Sequence, residues 1–479
     1  MKSFKSIKGV QAFIQEQEVK MVDFKVVDMK GRWNHLTIPA ERLKEEIMTE
    51  GIGFDGSSYG FLTVEKSDMV LIPDLTTGFI DPFTEMRTLV FIADIYRLEE
   101  GKRVRFEDDP RYIAKKAEGY IAEKGMGDEA LFGPEFEFYV LDHISYQIKN
   151  HHMEVKIDSR QGEWNAGKSD EKNPGNKVKK NGGYHVDVPL DSSYNFRNQT
   201  VDLLGTYGVP VKYHHSENGG PGQVEIEVEF ATLLEMGDRT QKLKYILRNN
   251  AVKNGLSTTF MPKPFSDECG NGMHIHMHLF NQGKPLFYHE GGYSNLSKTA
   301  LYAIGGILKH APALMAFTNP STNSYKRLVP GFEAPVSICY GTANRSAVIR
   351  IPGYATQPEH KRFELRSPDG TANPYLAYTA MLLAAAEGIE NKIDPAKEGF
   401  GPYDVNVFEL KASEQEKIKS LPKDLLEACD ALEKDHQFLL KGGVFSKNLV
   451  RNQIQKLREE HHQIHKLPHP EEFRMYYDL

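Results

Sequence analysis

The stretch from Gly133 to Val140, Gly-Pro-Glu-Phe-Glu-Phe-Tyr-Val, alternates charged and aromatic residues. Alternation of period two marks a strand, with Glu135 and Glu137 on one face and Phe136 and Phe138 on the other. The aromatic face has to be buried, so the carboxylate face must look into solvent, counter-charges or metal ions. Three later segments repeat the device. Val224 to Phe230 sets Glu225, Glu227 and Glu229 against Val224, Ile226 and Val228; Met273 to Phe280 sets His274, His276 and His278 against Met273, Ile275 and Met277; Phe363 to Arg366 carries Glu364 and Arg366. One such strand is ordinary, but four bearing Glu, His and Arg predict the inner faces of one curved sheet around a cation-filled site.

Same-face neighbours on a strand lie roughly 7 Å apart, too far to share one Mg²⁺ whose oxygens sit at about 2.1 Å. Glu135 and Glu137 are therefore expected to serve different ions. Oxygen donors with one imidazole suit Mg²⁺ or Mn²⁺, and Cys269, Cys339 and Cys429 form no cluster that would suit zinc. Three widely spaced cysteines indicate a reducing compartment. The N-terminus continues into an amphipathic pattern without a signal-peptide core, and Tyr375 to Ile389 is too short to span a bilayer. The expectation is a soluble, cytoplasmic protein without a membrane partner. A net charge of -7, from 59 basic and 66 acidic residues, gives no pull toward nucleic acid.

A chain of 479 residues should hold two or more domains. Phe4 to Gln17 has helical spacing, and strand-like runs follow at Val19 to Asp28, Trp33 to Ile38 and Thr88 to Tyr96. Asp109-Pro110 is a helix start, which divides the chain into residues 1–105 and 106–479. In the second part, helices are expected at Asn195 to Tyr207, Leu233 to Asn254, Leu296 to Phe317, Tyr375 to Lys392, Ser413 to Leu440 and Ser446 to Lys466. Ser145 to Tyr184 reads as a long polar loop. It contains Gly162 to Ser169, a formal match to the phosphate-loop pattern, but the Asp-Glu-Lys-Asn-Pro-Gly that follows cannot open the helix such a loop requires. Asp55-Gly56-Ser57-Ser58 reads on its own as a surface turn.

Arg327, Arg345, Arg350 and Arg366 recur among loop glycines and prolines, close to Glu333 and Glu364. Guanidinium forks grip carboxylates and phosphates bidentately, so this region reads as an anion pocket. Cations, arginines and acidic loop residues together suit phosphoryl transfer, in which the protein positions reactants and stabilises charge. No Ser/His/Asp or Cys/His nucleophile pattern is present. A carboxylate acceptor would need an Arg to hold it against the incoming phosphate.

The chain resembles the bacterial type I glutamine synthetase family along nearly its whole length. The motifs are Phe54 to Ser58, Gly133 to Glu137, the Glu217 to Glu225 spacing, Lys263-Pro264 leading to Gly272-Met-His274-Ile-His276, Asn319 to Pro335, Asn344-Arg345-Ser346, Phe363 to Arg366 and Pro468-His-Pro470. The resemblance implies an α+β protein with a small N-terminal β-grasp domain. A large C-terminal α/β catalytic domain with a curved antiparallel sheet would follow, in a dodecamer of two six-subunit rings with sites shared between subunits. The implied reaction is ATP-dependent ligation of ammonia to L-glutamate through γ-glutamyl phosphate, giving L-glutamine, with two or three Mg²⁺ or Mn²⁺ per site.

Carried over by position, Glu137, Glu217 and Glu225 would hold one ion, and Glu135, His274 and Glu364 another. Arg345 and Arg350 would meet nucleotide phosphates, with His276 and His278 nearby and Phe230 at the base. Arg327, Arg366 and the Gly270 loop would bind glutamate. Asp55, with Ser58, Tyr184, Glu217 and Glu333, would form the ammonium pocket, Asp55 as the base and Glu333 on a flap that shields the acyl phosphate. The chain departs from the family pattern at Cys269, usually Asn, at His278, usually Ser, and at Glu359, commonly Lys. Phe408 stands at the tyrosine that some members adenylylate, so that regulation is not expected. An amine such as a polyamine as acceptor, and an inactive oligomeric scaffold, are the alternative readings.

Overall fold

The structure is a computed structural model and describes residues 2–62, 67–99, 101–169, 173–329 and 334–477. An amphipathic helix, α1 (Ile7–Glu16), opens the chain. The Ser6 hydroxyl accepts the Gly9 N–H (3.3 Å) and caps it. Ile7, Val10 and Ile14 pack into a core with Phe24, Leu89 and Phe91. The main path of the seven-stranded sheet beneath runs through β1 (Met21–Val27), β2 (Trp33–Pro39), β3 (Ile52–Asp55), β4 (Asp68–Pro73) and β5 (Thr88–Glu99), in the order β2-β1-β5-β4-β3. The central β1–β5 pair is parallel and its neighbours are antiparallel. The edge strand β3 thus carries Asp55 at its end, on the rim of the sheet.

α2 (Pro110–Glu123) starts where the sequence indicates: Asp109 accepts the Arg111 N–H (3.0 Å), with Pro110 at the first helical position. The second, larger sheet contains β6 (Glu129–Leu141) and a hairpin, β7 (His143–Lys149) and β8 (His152–Asp158), projects from the end of β6. β9 (Val211–Ser216), β10 (Gln223–Val228), β11 (Met273–Asn281), β12 (Ser337–Thr342), β13 (Ala347–Ile351) and β14 (Phe363–Leu365) complete its main path, in the order β9-β10-β6-β11-β14-β13-β12. Along that path only the β12–β13 pair is parallel.

The apolar face expected from the alternation is sealed: Phe136, Phe138, Ile226, Met273, Ile275 and Phe363 are buried. α3 (Leu233–Lys253), α4 (Lys298–Thr318) and α5 (Pro374–Glu390) share that core. Each such side chain contributes about 1.5–3 kcal/mol by leaving water, which fixes register, because a one-residue slip would turn every acid inward. Among the described residues α4 alone is long and apolar enough to cross a membrane, but 78% of its apolar window is buried inside the protein. It crosses α5 at Gly306 and Gly388, whose backbones approach so closely that a Cβ on either would clash.

Three expectations change. The helix expected from Ser413 to Leu440 is broken by Pro422, which lacks an N–H to continue it; α6 (Leu425–Lys434) begins only after Asp424, which accepts the Glu427 N–H (2.8 Å). The polar loop from Ser145 is in its first part the β7–β8 hairpin, with Ile144, Tyr146 and Ile148 on one exposed face. Glu229 lies beyond the end of β10 and is exposed. The phosphate-loop look-alike contains only the short turn Glu163–Asn165, and Lys168 pairs with Asp158 (2.8 Å). α7 (Lys447–His465) follows α6 and packs beside it.

Candidate active site

Strand register assembles the site. Glu135 stands opposite His274 on β11 and opposite Glu227 on β10, and Glu137 stands opposite Glu225. His276 and Arg350 both face Glu364 from the strands flanking β14, and His215 faces Glu225. Like charges directly opposite one another destabilise a sheet, and here they are also buried: Glu137 is 7% exposed, Glu225 8%, Glu227 0% and Glu364 1%. Such a wall is stable only if something positive compensates it.

In one half the protein supplies part of that compensation. Glu135 lies 3.1 Å from His274 Nδ1 and 2.8 Å from His276 Nε2, and His274 Nδ1 is 3.5 Å from Glu364. Arg350 donates to Glu364 Oε2 (2.7 Å). Burial would push both acids up, but His276 and His274 hold Glu135 well below the usual carboxylate range, and Arg366 with the same imidazoles lowers Glu364 against the opposing charge of Glu135.

The other half has far less. His215 Nε2 is 3.3 Å from Glu225 and its Nδ1 3.5 Å from Glu217. Burial, then the charges of Glu137 and Glu225, push Glu217 up to about 9, and Glu225 is raised well above its ordinary value by burial and by Glu135 and Glu137.

Ligand atoms of Glu135, His274 and Glu364 lie within 4.8 Å of one another, and so do those of His215, Glu217 and Glu225 and those of Glu135, Glu227 and His276. Hard oxygens with an imidazole, crowded and mutually repelling, are a donor set for Mg²⁺ or Mn²⁺. Glu137 stands beside these groups: Gly272 N–H donates to it (2.5 Å), and it is 3.7 Å from His274 Nε2.

Arginines join these acids in lining a cavity of about 470 Å³, whose wall includes Glu135, Glu137, Tyr184, Glu217, Glu225, Gly270, His274, Arg327, Arg345, Arg350, Glu364 and Arg366. Arg327 is buried and donates to the Ser367 (2.8 Å) and Arg366 (3.1 Å) carbonyls, which fixes its fork. Gly270 lets this loop pass close by, since a Cβ there would strike the Pro262 carbonyl and the Arg327 stem. Tyr184 stacks on His185 at 4.0 Å, and His185 meets His215 edge-on at 4.5 Å.

Phe230, His276 and His278 lie just behind this cavity. The Phe230 ring is 4.7 Å from His278 and 5.5 Å from the Arg362 guanidinium, and burial beside Arg362 pushes His278 down to about 3. Glu359 is exposed in the short turn Pro358–His360. Asp55 and Ser58 do not line the cavity of their own chain. Asp55 accepts from Ser57 N–H (2.9 Å), Ser57 Oγ (2.7 Å) and Ser58 Oγ (2.8 Å), and these bonds lower it to about 2. Glu333 lies outside the described residues. His215, Tyr213 and Tyr354 in the cavity wall were not anticipated, although the two-residue step from His215 to Glu217 was a usable strand signal.

Residues 107–476 match the family described as glutamine synthetase, catalytic domain, and residues 18–98 the glutamine synthetase beta-Grasp domain. The chain is 45% identical over 467 residues to a glutamine synthetase of Aquifex aeolicus, covering 97% of each chain. It is 43% identical over 476 residues to a Cupriavidus pinatubonensis protein named 3-hydroxylaminophenol mutase, covering 99% of each. Among solved structures, Plasmodium falciparum glutamine synthetase superimposes with a TM-score of 0.89 at 28% identity, covering 99% of both chains. A buried wall of acids and imidazoles interleaved with guanidinium groups, together with family matches spanning both parts of the chain, leads to one assignment: this chain belongs to the glutamine synthetase family.

Proposed function

We propose that the protein ligates ammonia to L-glutamate at the expense of ATP, through γ-glutamyl phosphate, releasing L-glutamine, ADP and phosphate. The observation that carries this reading is the meeting of two carboxylate–imidazole groups with Arg327, Arg345, Arg350 and Arg366 around one cavity. Divalent cations, held by Glu135, His274 and Glu364 on one side and by Glu217, Glu225 and the adjacent Glu137 on the other, would neutralise the nucleotide phosphates.

The remaining work falls to the chain's own groups. Arg327 and Arg366 hold the carboxylates of glutamate, and the Gly270 loop leaves room for its backbone. Arg345, exposed to the cavity, and Arg350 take phosphate oxygens and the charge that develops on the group in flight. Phe230 flanks the nucleotide base, with His276 and His278 behind it. The γ-carboxylate oxygen forms its bond to the γ-phosphorus as the bond to ADP breaks. Ammonia then attacks the acyl carbon, its nitrogen gives up one proton to a carboxylate of the ammonium pocket, and phosphate leaves as the C–O bond breaks.

Ammonium is received by Tyr184, Glu217 and Glu333 with Asp55 and Ser58 from a neighbouring protomer of a ring-shaped oligomer, a dodecamer on this reading. An acid held near 2 stays ionised and attracts ammonium. It takes the proton only once the serine hydroxyls that hold it give way. Glu333 shields the acyl phosphate from water.

The test is an assay of the purified protein with Mg²⁺, ATP and glutamate, comparing ammonium with polyamines as acceptors. Stoichiometric glutamine and phosphate with ammonium supports the reading. Product with a polyamine alone would transfer it to a γ-glutamyl-amine ligase, and absence of any ATP-dependent product would favour a scaffold. The relative named a mutase makes an isomerase the competing activity; turnover of a hydroxylaminophenol without ATP would establish it.

A further inference from the structure

A second cavity, of about 510 Å³, lies between the β1–β2 turn of the N-terminal sheet, α3 and α7. Its size suits a small molecule, and its lining is unbalanced in charge: Lys30, Arg32, Lys244, Arg248 and Lys456 stand against Glu460 alone among the described residues. Two of the five are already neutralised, Lys30 by Glu460 (3.2 Å) and Arg32 by Asp28 (3.1 Å). The other three have no carboxylate within ion-pair distance among the described residues. Lys456 Nζ donates to the Gly60 carbonyl (3.0 Å) and Lys244 Nζ to the Gly370 carbonyl (2.7 Å), while the exposed Arg248 guanidinium makes no hydrogen bond among these residues. Lys244 and Arg248 are four residues apart on α3 and so share a face, and each lies 5.7 Å from the centroid of the Phe260 ring. Lys244 is only 6% exposed, and a charge buried that deeply is stable only beside an opposite one. Asp369, whose charge reaches it from further off, is committed to Asn319 (3.0 Å) and Thr371 (3.0 Å).

We infer that this cavity is a second anion site, sharing no lining residue with the active-site cavity, and that its occupant is a small dianion with an apolar body. Arg248 and Lys244 take its charged oxygens beside Phe260, Lys456 approaches from α7, and Phe317, Leu376 and Leu457 receive the apolar part. Resting on the reaction proposed above, the site reports to the glutamate end of the active site. Its walls include Gly370 and Asn323, and each belongs to a segment that fixes Arg327. Ser367 and Pro368, whose carbonyls accept from the Arg327 guanidinium (2.8 and 3.2 Å), lie just before Gly370. Asn323 Oδ1 accepts the Lys263 N–H (2.7 Å), and Asn323 immediately precedes the turn Ser324–Arg327. An anion that takes Lys244 draws it from the Gly370 carbonyl, loosens the segment that orients the Arg327 fork, and so weakens the hold on glutamate.

The test titrates the full-length protein by calorimetry with phenyl phosphate and phthalate, and with inorganic phosphate and benzyl alcohol as the charged and apolar halves alone. The aryl dianions should bind more tightly than either half; preference for phenyl phosphate assigns the site to phosphates, and preference for phthalate to dicarboxylates. Lys244→Met and Arg248→Ala should each weaken that binding by about tenfold or more, and Arg248→Ala, at an exposed position, serves if the buried substitution does not fold. Arg345→Ala, in the active-site cavity, should leave it intact. In the assay with ammonium, the preferred dianion should raise the KM for glutamate by about fivefold or more in the wild type. It should leave KM unchanged in Arg248→Ala, whose own kinetics should match the wild type. Binding lost in Arg345→Ala but kept in Arg248→Ala would place the probe in the active site and overturn the inference, as would failure of both aryl dianions to bind. Binding with an unchanged KM would overturn the coupling. Because calorimetry needs no turnover, an inactive protein that still binds through Arg248 would sink the proposed reaction and leave the second site standing.

Discussion

Glutamates of one cavity wall respond in opposite directions to similar burial, and the neighbours decide the sign. Glu135 and Glu364 are lowered because imidazoles and guanidinium groups face them, whereas Glu217 and Glu225 are raised because other carboxylates do. A buried lysine on α3 shows the same physics with only the more distant Asp369 as counter-charge. Lys244 Nζ donates to the Gly370 carbonyl (2.7 Å), and among the described residues no carboxylate lies within ion-pair distance. Burial and the nearby Arg248 push it down to about 7 from 10.5. Because the folded value lies below the unfolded one, the unfolded chain binds more protons between the two, and stability rises with pH across that window. Between about pH 6.5 and about pH 8.5 the wild type should gain about 2 kcal/mol relative to Lys244→Met, read from urea midpoints. Parallel pH responses in the two proteins would rule out a buried ammonium at this position.

Among the elements, the N-terminus of α2 joins the two sheets. Arg111 reaches Asp74 at the end of β4 (2.8 Å), Asp94 on β5 (2.8 Å) and Asp238 on α3 (2.9 Å). Tyr375 at the start of α5 also donates to Asp238 (2.7 Å). Removing the guanidinium would leave the buried Asp238 without its ion-pair partner, and would leave Asp94 to Arg105 and Lys115 and Asp74 to Lys115 at 4.0 Å. Arg111→Met should therefore cost about 3–5 kcal/mol, and an unchanged unfolding midpoint would mean that solvent replaces the cation. Elements with strong periodicity and a clear cap, such as α2, β6, β10 and β11, were legible in the sequence because apolar burial enforces their pattern. The break at Pro422 was visible as a residue but was outweighed by the helical spacing around it. The β7–β8 hairpin was hidden because its alternation is short and its faces are exposed, so burial does not enforce it. Acids and imidazoles were legible one strand at a time, but the pairing of Glu225 with His215 depends on register between strands, which no local pattern encodes.

At the scale of the whole molecule, Asp55 and Ser58 present the largest discrepancy between motif and cavity. They sit on an exposed turn at the rim of the N-terminal sheet, and the cavity of the same chain does not include them. If they serve the cavity of an adjacent protomer, the interface is head-to-tail and closes into a ring, so each site draws on two chains. Co-expression can separate the two arrangements. Asp55→Ala and Arg327→Ala should each be nearly inactive as pure oligomers when ammonium is kept well below saturation. In a mixed oligomer, a site that takes its arginine from an Asp55→Ala chain and its aspartate from an Arg327→Ala neighbour is intact. Random assembly of equal amounts makes such sites about one in four, since each half is intact with a chance of about one half, so roughly a quarter of wild-type activity should return. Mixing the separately assembled oligomers without dissociation should restore none. If each chain instead completed its own site, every site in the mixed oligomer would lack one group or the other, and co-expression would recover no more activity than the sum of the two variants alone.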